Sequence, residues 1–240
     1  MAEAPTGLQE KPDYIPGMNF VLGLSQKKEP VPYTTAVLGK DFTVLPGVFS
    51  PKYYAETEFY TRQVVDLLRP GEDYLDMGSG VGVTAVMAAL KDVNVTAADI
   101  NPAAVENTRQ NAQHHGVTDK IKILESDVYS ALGSDDKFDT IYWNCPFGFR
   151  KEGTQLTPLE EAVYDPGYRK NREFIMGAMQ HLKPGGQLLM GVSSTLGDLE
   201  AVRRFAKEAG IEFTQIAEMM DPDAAYEIKF QLLRAVVKNN

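Results

Sequence analysis

Three glycines at alternate positions follow a short apolar segment that contains a carboxylate. The segment carries Asp76, and the glycines are Gly78, Gly80 and Gly82. Helix-forming residues come next, so we predict a tight turn between a buried strand and a helix. Glycine accepts a positive φ angle and lets a ligand approach the backbone. The turn therefore suits a nucleotide-like ligand, although an ordinary strand-to-helix turn has the same glycine content.

Two carboxylates further along the chain suit the same kind of ligand. Asp99 lies about twenty residues after the glycine turn, the spacing at which an acidic residue meets the two ribose hydroxyls of a nucleoside. Asp127 could accept a hydrogen bond from an adenine amine. Both residues have simpler interpretations, since Asp99 could cap the following helix and Asp127 could be a solvated loop carboxylate.

The glycine spacing separates two classes of nucleotide ligand. The nicotinamide dinucleotide fingerprint places its third glycine three positions after the second, and this chain has Val83 there. The pattern therefore does not favour a turn that binds a pyrophosphate.

The elements that must position these residues alternate between strand and helix. Strands are predicted at 74–77, 94–100, 120–125, 138–143 and 187–192, and helices at 84–90, 102–116, 171–182 and 199–209. This alternation predicts an α/β fold with a doubly wound, mostly parallel sheet. Two last strands, near 213–219 and 225–237, have no helix between them and predict an antiparallel hairpin at one edge. In such sheets ligands bind outside the carboxyl ends of the strands, where all the candidate residues fall.

The N-terminal part is predicted to cover this cleft. Residues 1–31 are rich in proline and glycine and indicate an irregular arm with at most one short helix. A hairpin is predicted within 33–51 and a helix over 55–68. We therefore divide the chain into an N-terminal arm, hairpin and helix at 1–69 and the sheet domain at 70–240.

The Asp76, Gly78, Gly80 and Gly82 pattern is similar to motif I of the class I S-adenosylmethionine-dependent methyltransferases. The resemblance implies a Rossmann-like sheet of seven strands, with S-adenosyl-L-methionine as cofactor and S-adenosyl-L-homocysteine as product. It also implies a set of cofactor-binding residues, which are Asp76, Gly78, Ser79, Gly80, Gly82, Asp99, Ile100, Asn101, Asp127, Val128 and Asn144.

The segment Asn144, Cys145, Pro146 and Phe147 resembles the Asn-Pro-Pro-aromatic signature of methyltransferases that act on amine or amide nitrogens. The resemblance implies that Asn144 and the carbonyl of residue 145 accept the two N–H bonds of the acceptor nitrogen. Such a nitrogen is a poor nucleophile, and fixing it against the methyl group assists the transfer. Phe147 would pack on the substrate, and Pro146 would fix the turn. Cys145 replaces the usual proline. It leaves open a thiolate mechanism of the kind used by pyrimidine carbon-5 methyltransferases, in which the proline instead precedes the cysteine.

Residues 42–52 and the following Glu56-Thr57-Glu58 look like the segment before motif I in release-factor glutamine methyltransferases and their relatives. Lys52 and a longer Tyr53-Tyr54-Ala55 stretch depart from that pattern. We expect the residues before Tyr33 to be too few for the helical substrate-recognition domain of those enzymes. The predicted substrate-binding residues are Tyr53, Tyr54, Thr57, Phe147, Tyr164 and Tyr168.

Composition narrows the classes of partner. The net charge of −9 argues against broad binding of nucleic acid, so we expect a small-molecule or peptide-like substrate. A single cysteine and three histidines show no metal-ligand spacing, and we predict no metal site. No apolar run reaches about 18 residues, and the N-terminus has no signal pattern, so we expect a cytoplasmic protein without a membrane segment. Nothing in the sequence predicts the oligomeric state.

Two other functions stay open. A nucleic-acid base methyltransferase could use a basic stripe of Lys120, Lys122, Arg150, Lys151, Arg169 and Lys170. A binding module could keep the cofactor pocket without chemistry, although the 144–147 segment argues against it.

Overall fold

The computed structural model describes residues 32–221 and 227–236. The strands are β1 (Tyr33–Val37), β2 (Lys40–Val44), β3 (Asp73–Met77), β4 (Asn94–Asp99), β5 (Ile121–Glu125), β6 (Phe138–Asn144), β7 (Gly148–Arg150), β8 (Tyr164–Pro166), β9 (Leu182–Ser193), β10 (Thr214–Met220) and β11 (Lys229–Val236). The helices are α1 (Glu56–Leu67), α2 (Val83–Ala89), α3 (Pro102–His114), α4 (Pro158–Glu161), α5 (Arg169–His181) and α6 (Leu199–Glu208).

Seven strands form the central sheet in the order β10-β11-β9-β6-β3-β4-β5. The five strands from β9 to β5 in that order run parallel, while β11 is antiparallel to β9 and β10 is antiparallel to β11. The predicted parallel sheet and its antiparallel edge hairpin are therefore confirmed. After β5 the chain returns to the opposite side of β3, so strand order switches between β3 and β6. This is the point at which ligands bind in sheets of this kind.

The sheet is buried on both faces because each strand alternates its side chains between two cores. Tyr74, Tyr142 and Leu189 pack in the cluster that contains residues of α1, α2 and α3. Their sequence neighbours Leu75, Ile141 and Leu188 pack in the cluster that contains residues of α5 and α6. All six side chains have at most 2% of their surface exposed. These apolar runs keep the strand ends, and the residues on them, in fixed positions.

Two buried asparagines of α3 attach the β1–β2 hairpin to the domain. The Asn111 side chain accepts a hydrogen bond from the Thr43 amide at 2.9 Å and donates to the Thr43 carbonyl at 2.8 Å and the Val81 carbonyl at 2.9 Å. The Asn107 side chain accepts from the Leu45 amide at 2.9 Å and donates to the Thr43 carbonyl at 2.7 Å. The two side-chain amides thus bond to the backbone of β2 as a neighbouring strand would. They hold the segment that leads into the cleft.

The fold differs from the sequence prediction in its less regular segments. The predicted polar loop after residue 148 contains the parallel pair β7 and β8 and the short helix α4. Three-residue strands are too short for an alternation pattern to be recognised. Strand β9 begins at Leu182, before the predicted start at 187. The predicted arm at 1–31 lies outside the described residues.

No helix within the described ranges is long and apolar enough to cross a membrane. Over the same ranges, no group of three or more histidine, cysteine and acidic side chains is placed to hold a metal ion.

We predict that Asn111→Ala lowers the free energy of unfolding by about 3 kcal/mol, because the half-buried Thr43 amide and the buried Val81 carbonyl lose their partner, while the Thr43 carbonyl keeps Asn107. Urea unfolding measures this change. The matched control is Gln110→Ala on the same helix, whose exposed side chain bonds only Glu106. It should change stability by less than about 0.5 kcal/mol. Equal effects of the two variants would contradict the proposed anchoring of the hairpin.

Candidate active site

A cavity of about 630 Å³ opens at the carboxyl ends of the central strands. Its size suits a ligand as large as a nucleoside cofactor together with a small substrate. The ends of β3, β4 and β6 and the segment after β5 contribute residues to its wall, as do α1 and the loop before it.

The glycine turn forms one part of the wall. Gly78, Gly80 and Gly82 have φ angles of 63°, 56° and 85°, all in the left-handed region. A Cβ atom on Gly78 would lie 2.3 Å from Nε1 of Trp143, and one on Gly82 would lie 3.0 Å from Thr108. A Cβ atom on Gly80 would meet nothing within 4 Å. Gly78 and Gly82 therefore allow close packing against Trp143 and Thr108, whereas Gly80 faces open space in the cavity.

Asp99 fastens the end of β4 to the glycine turn. Its Oδ2 accepts a hydrogen bond from the Gly80 amide at 2.8 Å, and its Oδ1 accepts one from the Asn101 amide at 2.9 Å. The side chain that caps α3 is Asn101, which accepts from the Ala103 amide at 3.0 Å. The cap of α3 is therefore Asn101 and not Asp99.

Asp76 is a buried carboxyl group beneath the turn, with 3% of its surface exposed. Its Oδ1 accepts a hydrogen bond from the Tyr74 hydroxyl at 3.0 Å. Burial raises the pKa of Asp76 to about 7, and hydrogen bonds from Tyr74 and the Ala85 amide oppose that shift. A positive group in the cavity would favour the charged form, so the carboxyl is well placed to receive a cation.

The 144–147 turn includes the end of β6 and is fixed by three hydrogen bonds to residues outside it, two of which it accepts and one of which it donates. The Asn171 side chain donates to the Pro146 carbonyl at 2.9 Å, and the Tyr168 hydroxyl donates to the Phe147 carbonyl at 2.6 Å. The Cys145 thiol donates to the Gly191 carbonyl at 3.1 Å. Two of the three backbone carbonyls from 145 to 147 are thus occupied by protein donors.

Asn171 is held in turn by Asp165, whose Oδ2 accepts from both the amide and the side chain of Asn171 at 2.8 Å. Neither Asn171 nor Asp165 is among the predicted site residues, because the sequence shows only a polar loop around Asp165 and the start of a helix at Asn171.

Unpartnered polar atoms are concentrated in this cavity. Among the described residues, seven buried side-chain atoms have no hydrogen-bond partner, and two of them belong to Arg204. The other five lie on residues that line the cavity, and they are Tyr54 Oη, Thr57 Oγ1, Asp76 Oδ2, Asp127 Oδ1 and Asn144 Oδ1. Buried polar groups without partners are costly, so a cluster of them indicates a place where a ligand supplies the partners.

Glu56 is a functional candidate that sequence reasoning missed. It lines the cavity from the first turn of α1, and only 3% of its surface is exposed. Burial raises the pKa of Glu56 to about 8, and nearby Asp221 acts in the same direction. The sequence contains Glu56 within the Glu56-Thr57-Glu58 segment, but the burial of its carboxyl group depends on tertiary packing and has no signal in the sequence.

Most of the predicted site residues line this one cavity. They are Tyr53, Tyr54, Thr57, Asp76, Gly78, Ser79, Gly80, Asp99, Ile100, Asn101, Asp127, Val128, Asn144, Cys145, Pro146 and Phe147.

Three predicted residues do not line it. Gly82 packs on Thr108, and Tyr164 lies beneath the guanidinium group of Arg150. Tyr168 is buried and supports the 144–147 turn from behind. Tyr164 on β8 and Tyr168 at the start of α5 are both buried side chains that pack within the protein, so their contact with a substrate stays a prediction.

The predicted basic stripe is largely neutralised. Lys120, Lys122, Arg169 and Lys170 each form an ion pair, with Asp92, Asp136, Asp127 and Glu161 respectively.

The family model described as "Methyltransferase small domain" matches residues 39–212 of the chain. The tRNA (guanine(10)-N2)-dimethyltransferase of Methanothermobacter thermautotrophicus is 33% identical over 159 residues, which are 65% of this chain and 42% of that protein. The release factor glutamine methyltransferase of Rhodopirellula baltica is 29% identical over 167 residues, which are 60% of this chain and 56% of that protein. The chain thus spans about half the length of these curated relatives.

Solved structures share the fold. The 16S rRNA N2 G1207 methyltransferase of T. thermophilus, described in complex with AdoMet and guanosine, aligns with a TM-score of 0.58 at 22% identity. The alignment covers 86% of this chain and 50% of that one.

We predict that Gly78→Ala lowers the free energy of unfolding by about 3 kcal/mol, because the new Cβ meets Trp143 and the backbone is left-handed. Gly80→Ala is the matched control, with a similar φ angle but open space around the new Cβ. It should cost only about 1 kcal/mol. Chemical denaturation of both variants tests this, and equal losses would contradict the role of the Trp143 contact.

Proposed function

The chain belongs to the methyltransferase small domain family, and we propose that it transfers a methyl group from S-adenosylmethionine to an amine or amide nitrogen of a small-molecule or peptide-like substrate. The observation that carries this proposal is the unpartnered Asn144 Oδ1 on the cavity wall, at a turn whose Pro146 and Phe147 carbonyls already have protein donors. An acceptor oxygen in that position suits a substrate N–H.

The residues of the cavity fit the cofactor. Asp76 beneath the turn suits the ammonium of its amino-acid tail, and Gly80 leaves room for that tail to approach the backbone. Asp99 at the end of β4 suits the ribose, and the free Oδ1 of Asp127 suits the adenine amine. When bound, the cofactor supplies a methyl group on a positively charged sulfur.

The 144–147 turn would orient the acceptor nitrogen. Asn144 Oδ1 and the Cys145 carbonyl accept its N–H bonds, which directs the lone pair toward the methyl group. The same oxygens stabilise the positive charge that develops on nitrogen during the transfer. The Phe147 ring packs against the substrate. The nitrogen forms its bond to carbon as the carbon–sulfur bond breaks, and the surplus proton leaves to water.

Nucleic-acid base methylation is the second candidate, favoured by the tRNA-modifying relative. The ion pairs across the basic stripe and the charge of −9 speak against it. RNA binding that weakens steeply with added salt would favour this candidate instead.

We predict that Asn144→Ala leaves binding of S-adenosylhomocysteine largely unchanged and lowers turnover at least about 100-fold, because the nitrogen loses an oriented acceptor. Calorimetric titration measures the first quantity. Release of S-adenosylhomocysteine in the presence of an acceptor that the wild-type protein methylates measures the second. Normal turnover by this variant would remove the nitrogen-clamp assignment.

Cys145→Ala separates the nitrogen mechanism from a thiolate mechanism. Only 2% of Cys145 is exposed, and burial raises the pKa of its thiol far above the usual range, so the group stays protonated. We expect the variant to keep turnover within a few-fold of wild type in the same assay. Complete loss of turnover in a folded, cofactor-binding variant would instead support a covalent intermediate.

A further inference from the structure

We propose that the methyl acceptor is a small organic cation and that Glu56 is the residue that selects its positive charge. This inference rests on the proposed function, because it assigns a substrate class to the same cavity. The cation subsite is defined here as Tyr54, Glu56, Phe147 and Phe230, all of which line the cavity.

Among the described residues, Glu56 has no cationic partner that would explain a buried carboxylate, and the hydrogen bond that acts on its carboxyl group comes from its own backbone. No other described residue gives its side chain a hydrogen bond or an ion pair, although 97% of its surface is buried. The ionisable groups that act on it are Tyr54 before α1, Tyr60 on α1, Tyr142 on β6 and Asp221 after β10. None of these is a cation. A buried, unpaired carboxylate is unfavourable unless a ligand pairs with it.

The rest of the cavity wall is also acidic. Its carboxylates outnumber its cations, since it has Glu56, Asp76, Asp99, Asp127, Glu161 and Asp221 against Lys52 and Lys170. Lys170 is paired with Glu161 at 2.7 Å, and Lys52 lies over the rings of Tyr33 and Tyr53 at 5.1 and 5.4 Å. Such a wall favours a positively charged ligand over a phosphate, because a bound cation stabilises the ionised form of its carboxyl groups.

Aromatic rings complete the cation subsite. Tyr54 stacks on Phe49 with ring centres 3.9 Å apart, and Phe147 contacts Phe230 at 5.9 Å. Ring faces attract organic cations, and the effect is larger where water is excluded. The Phe147 ring also belongs to the 144–147 turn, so a cation held here lies beside the proposed transfer site.

The charge of the subsite separates this substrate class from those of the relatives. A glutamine side chain is neutral and a nucleotide is anionic, so neither would supply the positive charge that stabilises an ionised Glu56. A substrate that carries an ammonium or amidinium group beside a second, uncharged amine or amide nitrogen would fit both residues. Its cationic group would pair with Glu56, and its uncharged nitrogen would donate N–H bonds to Asn144 and keep the lone pair that attacks the methyl group.

Binding of a cation should release a proton from Glu56, and a purely structural role of Glu56 would not produce this release. Because the pKa of Glu56 is raised to about 8, the unliganded carboxyl is mostly protonated at pH 7. A bound cation favours the ionised form, so binding expels a proton. The measured binding enthalpy then depends on the ionisation enthalpy of the buffer.

The test uses the full chain saturated with S-adenosylhomocysteine and titrated at pH 7 in phosphate and in HEPES, two buffers whose ionisation enthalpies differ and neither of which carries a primary ammonium group. The probes are phenethylammonium, its neutral counterpart 2-phenylethanol, guanosine 5′-monophosphate and a capped Gly-Gln-Gly peptide. We expect phenethylammonium to bind tightest and to show a buffer-dependent enthalpy. Glu56→Gln should weaken it at least tenfold and abolish the buffer dependence. The control Glu58→Gln, on the exposed side of α1 and paired with Arg62 at 3.1 Å, should change neither quantity.

Binding of S-adenosylhomocysteine to Glu56→Gln reports that the variant is folded. Failure of the wild-type chain to bind S-adenosylhomocysteine would overturn the proposed function itself. If it does bind, the inference alone is overturned by three outcomes. These are phenethylammonium binding no tighter than 2-phenylethanol, an unchanged affinity in Glu56→Gln, or tighter binding of the nucleotide or the glutamine peptide.

Discussion

The contact between Trp143 and the backbone of Gly78 fixes the spacing between the two turns on which the site depends. Trp143 is the residue before Asn144 on β6, and it pairs in register with Met77, the residue before Gly78 on β3. Its indole lies so close to Gly78 that no side chain fits there. Behind it, Trp143 packs on Phe174 of α5 with ring centres 5.2 Å apart. The glycine turn and the 144–147 turn are thus held on one rigid support, which is what a reaction between two bound molecules requires.

Around this support, hydrogen bonds within the protein hold the two turns in place, while a few polar side-chain atoms have no partner. The carbonyls of Pro146 and Phe147 and the amides of Gly80 and Asn101 all have partners inside the protein. The unpaired atoms and the buried carboxyl of Glu56 face the cavity instead. Missing hydrogen bonds of this kind are expected at a site that binds a ligand. Their cost in folding free energy is offset by the two well-packed cores on either side of the sheet.

Much of this arrangement could be predicted from the sequence, because strand and helix patterns are local. The apolar runs at 74–77 and 138–143 fixed the central strands, and the glycine spacing located the turn after β3. The supports of the 144–147 turn could not be predicted. Asn171 and Asp165 reach it across many residues of chain, and Tyr168 is predicted to contact the substrate because its loop follows the 144–147 turn in the sequence. Glu56 was missed for a related reason, since burial of a carboxylate depends on tertiary packing and not on helical spacing.

A crystal structure of the chain with S-adenosylhomocysteine tests the central claim most directly. The account predicts that the ribose lies on Asp99, the amino-acid tail lies over Gly80 and Asp76, and the sulfur faces Asn144. Density for the product outside the cavity, or in it with the sulfur turned away from the 144–147 turn, would contradict the account.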